Sequence, residues 1–313
     1  MILDKKFEKE ILNVSCRAAL SSFYFIGKKD KIAADKAAVD TMRTELNKID
    51  MKGKIVIGEG ELDEAPMLYI GEEVGNNNGP ELDIAVDPLE GTNFAANNLP
   101  GALSVITIST KSNLFNAPET YMNKISANVK EKNVVDLDFS LTKNIDNLSQ
   151  YLNKNPNELT TCILDRPRHK KIIEDLRNLK VKIKLISDGD ISGALLVTDK
   201  KYNVDLFLGI GGGPEGVLAA SALDAYDCFF QGRFIFETER DKLRANEMGI
   251  KDFDRKYNLN EIVSGDSIFC ATGITSGDLV TGIEIDNNEF ESETLITHKS
   301  TGLKKVIRLK QKI

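Results

Sequence analysis

The sequence "DIAVDPLEGT", residues 83–92, places two carboxylates at the end of a predicted strand. Its mostly apolar, alternating first half is typical of a strand that leads to Asp87, and Pro88 is expected to end that strand. Glu90 follows three residues after Asp87. Two acids this close repel each other unless a cation lies between them. The stretch therefore predicts a metal site at a strand end.

The Gly-Thr pair that completes this stretch indicates phosphate chemistry. Gly91 and Thr92 stand where a helix is expected to begin, and the backbone N–H groups of a helix start bind phosphate. The Thr92 hydroxyl is suited to hold or polarise a water molecule beside the metals. Paired divalent cations stabilise both the attacking and the leaving oxygen of an in-line displacement. Together these features favour phosphoester hydrolysis.

Composition excludes several classes of protein. The chain has 313 residues and a formal net charge of −7. Nucleic acid and anionic membranes need a basic footprint, so neither is an expected partner. No apolar run approaches the ~20 residues of a membrane helix, and the charged start "MILDKKFEKE" is unlike a signal peptide. We therefore expect a cytoplasmic protein whose four cysteines are buried thiols without a disulfide or metal role.

Apolar periodicity predicts an α/β protein. Helices are expected over 6–26 and 33–48, and strands over 54–60 and on either side of the opening stretch. The segment 136–160 carries weaker signals and is interpreted as an exposed crossover. Strands and helices then alternate from about residue 160 to 227, which is typical of α/β organisation. This pattern predicts two domains, residues 1–158 and 159–313.

Further acids stand next to glycine or proline at predicted element ends. Asp35 opens the second helix, Glu59 lies in "IGEGELDEAP", and Glu215 lies in "GIGGGPEG". Carboxylate oxygens are the ligands that Mg²⁺ and Mn²⁺ prefer, and histidine is too rare here for a His-rich zinc site. Taken singly, each acid has a simpler explanation: Glu59 as a solvated loop residue, Asp35 and Glu215 as partners of a helix dipole.

Residues 211–216, "GGGPEG", also match a dinucleotide-binding fingerprint. Glu215 would then stand at the helix start, where the pyrophosphate binds, and would repel it. With a bound cation the same carboxylate becomes useful. The metal interpretation is therefore preferred to the nicotinamide one.

Seven motifs taken in order resemble the class II fructose-1,6-bisphosphatases, which include cyanobacterial dual fructose/sedoheptulose bisphosphatases. They are "KIVIGEGELDEAPMLYIGEEVG", "DIAVDPLEGT", "NAPETYM", "RPRH", "DGDISGALL", "GIGGGPEGVLAA" and "ATGITSGDL", and they run nearly end to end. "DPLEGT" alone indicates only the wider lithium-sensitive phosphatase superfamily, which includes inositol monophosphatases. The resemblance implies a layered αβαβα sandwich, dependence on Mn²⁺ or Mg²⁺, and removal of the 1-phosphate.

The resemblance also implies roles for individual residues. Asp35 and Glu59 match ligands of one metal site, while Asp87, Glu90 and Glu215 match ligands of another. Thr92, helped by Asp35, is similar to the superfamily threonine that activates the attacking water, and Glu59 is placed with them in the catalytic set. Positions that match contacts to the sugar bisphosphate are Glu90, Gly91, Thr92, Tyr121, Arg166, Pro167, Arg168, Asp188, Gly189, Asp190 and Gly212.

The chemistry of these side chains agrees with those roles. Arg166 and Arg168 flank a stiffening proline, and arginine is suited to bidentate recognition of the non-reacting phosphate. Asp188 and Asp190 are able to accept hydrogen bonds from sugar hydroxyls. The alternatives are surface charge for the arginines, a turn and helix cap for the aspartates, and a core position for Tyr121.

The leading hypothesis is a metal-dependent fructose-1,6-bisphosphatase of gluconeogenesis. The first alternative keeps the chemistry and changes the substrate to sedoheptulose 1,7-bisphosphate or an inositol phosphate. The second is a non-catalytic sugar-phosphate-binding protein with the same fold. By resemblance only, a homodimer or homotetramer is expected.

Overall fold

The computed structural model of the protein describes residues 2–58 and 68–313. Its N-terminal part contains α1 (Lys6–Phe23), α2 (Lys31–Leu46), β1 (Lys52–Ile57), β2 (Glu73–Val74), β3 (Glu81–Glu90), α3 (Thr92–Ala96) and β4 (Leu103–Thr110). The middle contains β5 (Tyr121–Ala127), α4 (Leu141–Leu152), β6 (Thr160–Leu164), α5 (Lys170–Asn178), β7 (Lys182–Ile186), α6 (Asp190–Leu195), β8 (Leu206–Gly212), α7 (Gly213–Ala225), β9 (Phe229–Ile235), α8 (Glu239–Glu247), β10 (Lys256–Asn258) and α9 (Leu259–Ile262). The tail contains β11 (Ser267–Gly273), β12 (Glu284–Asp286), β13 (Glu289–His298) and β14 (Leu303–Lys312).

The chain forms two compact units, and neither follows the predicted boundary. Residues 1–116 and 263–313 form unit 1, and residues 117–262 form unit 2. The predicted division at residue 158 falls inside unit 2, between α4 and β6. The tail belongs to unit 1 because β11 pairs along its whole length with β4, from Ser267 opposite Ser109 to Gly273 opposite Leu103. Long-range strand pairing of this kind leaves no local signal in the sequence.

Unit 1 contains a mixed sheet covered by helices. The strand order is β12-β13-β11-β4-β3-β1-β2, with β14 paired to β13. The helices α1 and α2 pack against this sheet. The apolar positions predicted for α1 are all buried in the shared core: Phe7, Ile11, Val14 and Ala18. Their helical spacing on one face is what drives α1 onto the sheet.

Unit 2 contains a second mixed sheet with helices on both faces. Its strand order is β10-β9-β5-β8-β6-β7. One face packs on α4 and α5, through apolar residues such as Ile125, Leu148 and Leu176. On the opposite face, Ser126 bonds to the Ala194 carbonyl of α6. The α/β class is thus as predicted.

Two local predictions need revision, and one is confirmed. The segment 136–160 is not merely an exposed crossover, because α4 forms there and buries Ile145 and Leu148. The second helix begins at Lys31 with Asp30 as its cap, so Asp35 lies about one turn inside it. All four cysteines are free and buried, as expected. Among the described residues no helix is both long and apolar enough to cross a membrane.

Asp266 ties three parts of unit 1 together. Its Oδ2 accepts the backbone N–H of Leu3 at 2.8 Å and lies 3.1 Å from His298 Nε2. Its Oδ1 accepts the N–H of Ser300 at 3.0 Å, and Glu8 contacts the other ring nitrogen of His298 at 2.6 Å. Burial acts to raise the pKa of Asp266, but these donors outweigh it and the pKa is lowered.

Replacing this carboxylate should weaken the fold. We expect Asp266→Asn to reduce the free energy of unfolding by about 2 kcal/mol at pH 7, because buried donors lose an ionised acceptor. Because folding lowers the pKa of Asp266, its ionised carboxylate stabilises the folded protein above the unfolded pKa, and this stabilisation is lost as the pH falls through the folded pKa. The difference in unfolding free energy between the wild type and the variant should therefore shrink below about pH 4. Urea unfolding followed by far-UV circular dichroism measures it, since the chain has no Trp. Exposed Asp286→Asn is the control, and an equal effect in both variants would contradict the assignment.

Candidate active site

A one-residue register shift in β3 brings Asp87 and Glu90 to one face of the sheet. Side chains three residues apart on a regular strand point to opposite faces. Here Asp87 pairs with Val105 and Glu90 with Leu103, so three steps along β3 match two along β4. Val105 and Leu103 share a face, and so do the two acids opposite them. The prediction that Pro88 ends the strand is wrong, since β3 continues through it to Glu90.

Pro88 lies at this bulge, which is a common position for a proline inside a strand. Proline has no N–H to give to a sheet ladder, so inside strands it is found mainly at bulges and edges. Glu90, beyond the bulge, is only 4% exposed, while Asp87 is half-buried. A carboxylate this deeply buried needs compensating partners.

The chain turns into a helix directly after Glu90, as predicted. Gly91 has φ 77°, a left-handed conformation that glycine adopts readily, and α3 begins at Thr92. The Gly91 carbonyl accepts the first helical hydrogen bond from the Phe94 N–H at 2.8 Å. The turn therefore places the Thr92 side chain two residues beyond a buried carboxylate. Phosphate binding at this turn stays a prediction.

Asp35 lies in α2, a helix that packs on α3. The loop before α2 is anchored on α3, because the N–H groups of Gly27 and Lys29 donate to the carbonyls of Ala95 and Ala96, each at 2.9 Å. Helix α2 also packs on β3. Asp35 is half-buried, and burial raises its pKa. Glu59 lies outside the described residues, so its place in the site is a prediction only.

The predicted sugar-phosphate contacts other than Glu90, Gly91 and Thr92 lie at one edge of the unit 2 sheet. Strands β6, β7 and β8 are parallel, so their carboxyl ends share that edge, and antiparallel β5 begins there. Ligands of open α/β sheets bind beyond the carboxyl ends of parallel strands. The residues that follow or start these strands are Tyr121, Arg166, Pro167, Arg168, Asp188, Gly189, Asp190, Gly212 and Glu215.

The two arginines occupy different surroundings. Arg166 Nη2 lies 3.4 Å from Asp188 Oδ1. Arg168 donates to the Ile210 carbonyl from Nε at 2.9 Å and from Nη2 at 2.8 Å, and its guanidinium lies 4.7 Å from the centre of the Tyr121 ring. Tyr121 is 41% exposed, so the core interpretation of this residue is wrong. Arg168 is held in place by a carbonyl and an aromatic face.

His169 connects the turn formed by residues 166–169 to β8 through hydrogen bonds, a role that sequence reasoning missed. The ring is buried; its Nδ1 lies 2.7 Å from the Leu164 carbonyl, and its Nε2 accepts the Ile210 N–H at 2.7 Å. Because Nε2 is an acceptor, the proton is on Nδ1 and the ring is neutral. Burial lowers the pKa of His169, which keeps it so at neutral pH.

Asp190 is paired with a lysine that sequence reasoning also missed. Lys124 is 1% exposed, forms an ion pair with Asp190 Oδ2, and donates to the Gly212 carbonyl at 2.6 Å. Asp190 Oδ1 is buried and has no hydrogen-bond partner among the described residues. A buried unpaired oxygen is costly, and a hydroxyl donor from a ligand relieves that cost. The available signal was one charged residue within "YMNKISA", an otherwise uncharged strand.

The glycine-rich segment makes room for carboxylates instead of a pyrophosphate. A side-chain carbon on Gly211 would overlap the Asp190 carboxylate, and one on Gly212 would overlap the carboxylate of Glu215. The resemblance of "GGGPEG" to a dinucleotide fingerprint is therefore explained by close packing of acids against the backbone.

Glu215 lies in the first turn of α7, where the helix dipole favours an anion. It is half-buried, and burial raises the pKa of its carboxyl. Lys124 opposes this effect, and Asp190 adds to it. A cation would favour the ionised form, which is the state a metal ligand needs.

The chemistry of the predicted metal ligands fits a hard divalent cation. Asp35, Asp87 and Glu90 in unit 1 and Glu215 in unit 2 offer only carboxylate oxygens, and burial raises the pKa of Asp35 and Glu215. Residues 2–58 and 68–313 contain no group of three or more acidic, histidine or cysteine side chains arranged to hold a metal. The predicted ligand set thus stays a prediction, divided between two units and the undescribed Glu59.

Comparison with known proteins decides the family. Residues 5–311 match the family described as bacterial fructose-1,6-bisphosphatase, glpX-encoded. The chain belongs to this family. Membership makes it a phosphoric monoester hydrolase of a metal-dependent family.

Curated relatives cover nearly the whole chain. A protein of Prochlorococcus marinus strain MIT 9301, named D-fructose 1,6-bisphosphatase class 2/sedoheptulose 1,7-bisphosphatase, is 43% identical over 92% of this chain and 91% of its own. One with the same name from Trichodesmium erythraeum strain IMS101 is 41% identical over 94% and 92%. A solved inositol monophosphatase-fructose 1,6 bisphosphatase shares 14% identity over 58% of this chain and 68% of its own, with a TM-score of 0.32.

Removing the Glu215 charge should separate stability from activity. We expect Glu215→Gln to raise the melting temperature in EDTA by about 2 °C, because the folded protein no longer holds a disfavoured carboxylate. The same variant should lose most phosphate release with added metal. Differential scanning calorimetry and a phosphate assay measure the two effects. Glu239→Gln, an exposed acid in the first turn of α8, should change neither; a lower melting temperature in Glu215→Gln would refute the electrostatic argument.

Proposed function

We propose that the protein hydrolyses the 1-phosphate of fructose 1,6-bisphosphate, giving fructose 6-phosphate and phosphate. The observation that carries this proposal is the family match over residues 5–311. A gluconeogenic role follows from that reaction. The edge of the unit 2 sheet supports a substrate with sugar hydroxyls and a second phosphate.

Two features of that edge favour a bisphosphate. Arg168 commits two of its five N–H donors to the Ile210 carbonyl, which orients its planar guanidinium. Arg166 is held beside Asp188 across the same edge. Two positioned guanidinium groups suit the phosphate that is not cleaved. Asp190 Oδ1 and Asp188 are the acceptors that we assign to sugar hydroxyls.

We assign the cation ligands to five carboxylates and the cation itself to Mn²⁺ or Mg²⁺. The proposed ligands are Asp35, Glu59, Asp87, Glu90 and Glu215. Divalent cations supply Lewis-acid chemistry, since they neutralise charge on phosphoryl oxygens and make water a better nucleophile. The bulge at Pro88 supports the proposal because it puts the side chains of Asp87 and Glu90 on the same face of the sheet.

We assign phosphate binding and the orientation of the attacking water to the turn after β3. The backbone N–H groups of residues 90–92 hold the phosphoryl group at the start of α3. The Thr92 hydroxyl orients the attacking water, and the Asp35 carboxylate accepts a hydrogen bond from that hydroxyl. The water oxygen forms the new bond to phosphorus as the bond from phosphorus to the sugar oxygen breaks. The water gives up one proton and the leaving sugar oxygen gains one, so the step balances.

Sedoheptulose 1,7-bisphosphate is the second candidate substrate. The curated relatives from Prochlorococcus and Trichodesmium carry both activities in their names. Both sugars present hydroxyls between two terminal phosphates, so the same arginines and aspartates serve either. We further propose a cytoplasmic homodimer or homotetramer whose ligands are small molecules, with neither nucleic acid nor membrane as a partner.

Phosphate release should depend on metal and on Asp87. We expect release from fructose 1,6-bisphosphate with added Mn²⁺ or Mg²⁺ and none in EDTA. Asp87→Asn should lower turnover at least about 100-fold, because one ligand charge is lost. Glu81→Gln is the control, since Glu81 is exposed at the other end of β3. Full turnover in chelator would refute the metal requirement, and an unchanged rate in Asp87→Asn would remove that residue from the site.

A substrate panel should show preference for bisphosphates. We expect both sugar bisphosphates to be hydrolysed in preference to inositol monophosphate. Arg168→Lys should raise KM for fructose 1,6-bisphosphate about 10-fold, because lysine provides neither the planar fork nor the same stacking. Arg177→Lys, on the exposed side of α5, is the matched control. Preference for the monophosphate would exclude the proposed substrate class.

A further inference from the structure

Lys124 is only 1% exposed and lies at the edge of the unit 2 sheet where the predicted sugar-phosphate contacts gather. Its partners across the two neighbouring strands are both glycines, Gly209 on β8 and Gly232 on β9. A side-chain carbon on Gly216 of α7 would come within 3.3 Å of the lysine Cδ. Of these three glycines only Gly216 lies against the lysine stem, since a side-chain carbon on Gly209 would meet His169 and one on Gly232 would meet Met122.

The ammonium group joins two predicted substrate contacts. Its Nζ forms an ion pair with Asp190 Oδ2 and donates a hydrogen bond to the Gly212 carbonyl at 2.6 Å. A buried ammonium is strongly unfavourable unless it is paired and hydrogen-bonded. Both contacts are therefore maintained whenever the lysine is in place. The ion pair restrains the Asp190 carboxylate, while the second contact restrains the end of β8.

The two oxygens of Asp190 have different surroundings. Oδ2 is taken by Lys124, whereas Oδ1 is buried with no hydrogen-bond partner in the described part of the chain. Gly211 lies against this carboxylate and has no side chain that would displace it. A carboxylate clamped through one oxygen presents the other in one orientation, which is the preorganisation that binding of a sugar hydroxyl requires.

We propose that Lys124 is a positioning residue for sugar recognition: it clamps Asp190 Oδ2 and the Gly212 carbonyl, so that Asp190 Oδ1 meets a hydroxyl of the sugar bisphosphate. This inference rests on the proposed function. Lys124 itself touches neither substrate nor metal in this role. It sets the geometry of the groups that do.

The test compares Lys124→Met, Asp190→Asn, the double variant, and Lys182→Met as a matched control. Lys182 is an exposed lysine in a strand of the same sheet. For Lys124→Met we expect KM for fructose 1,6-bisphosphate to rise at least about 10-fold, because the hydroxyl contact loses its orientation. The double variant should be no worse than the poorer single variant, since one residue acts through the other. Lys182→Met should match the wild type.

The outcomes separate the alternatives. A structural role alone lowers the fraction of active enzyme, and therefore kcat, without changing KM; that result overturns the inference. Additive losses in the double variant also overturn it. If Lys124→Met does not fold, the double variant decides, because replacing both members of a buried ion pair is often tolerated. Absence of phosphate release from the wild type refutes the proposed function instead, so the two failures are distinguishable.

Discussion

The shared orientation of the proposed ligands Asp87 and Glu90 depends on one extra residue in a strand. Without the register shift at Pro88, Asp87 and Glu90 would face opposite sides of the sheet and could not act together. Pro88 lies within this shift, and proline is tolerated there because it has no N–H to give to a sheet ladder. A second shift lies in neighbouring β1, between Ile55 and Ile57. Both neighbouring strands thus have irregular pairing, and bulges often re-aim side chains beside active sites.

In unit 2, several charged side chains lie together at the edge of a buried sheet, and each is stabilised by a specific partner. Lys124 compensates Asp190, Arg166 compensates Asp188, and Arg168 is anchored by a backbone carbonyl. The neutral ring of His169 satisfies backbone groups and adds no further charge. The glycines of "GGGPEG" complete this arrangement because their backbone lies directly against carboxylates. The edge is therefore electrostatically ordered before any ligand binds.

Much of this was readable from residues alone. The α/β alternation, the buried face of α1 and the helix start at Thr92 follow from periodicity and from Gly91. The strand end at Pro88 was misjudged because a bulge depends on the partner strand. The division at 158 failed because β11 joins β4 across more than 150 residues of chain. Lys124 and His169 were missed because a buried polar residue reveals its role only through partners distant in sequence.

The sequence by itself determined the types of residue at each element end, and with them the family and its chemistry. Carboxylates, a Gly-Thr turn and paired arginines are local features, so the sequence alone reveals them. The tertiary structure alone decided which face Asp87 and Glu90 share, which oxygen of Asp190 is occupied, and which unit the tail joins. These depend on strand register and on contacts between distant segments, and neither is encoded in any single stretch of the chain.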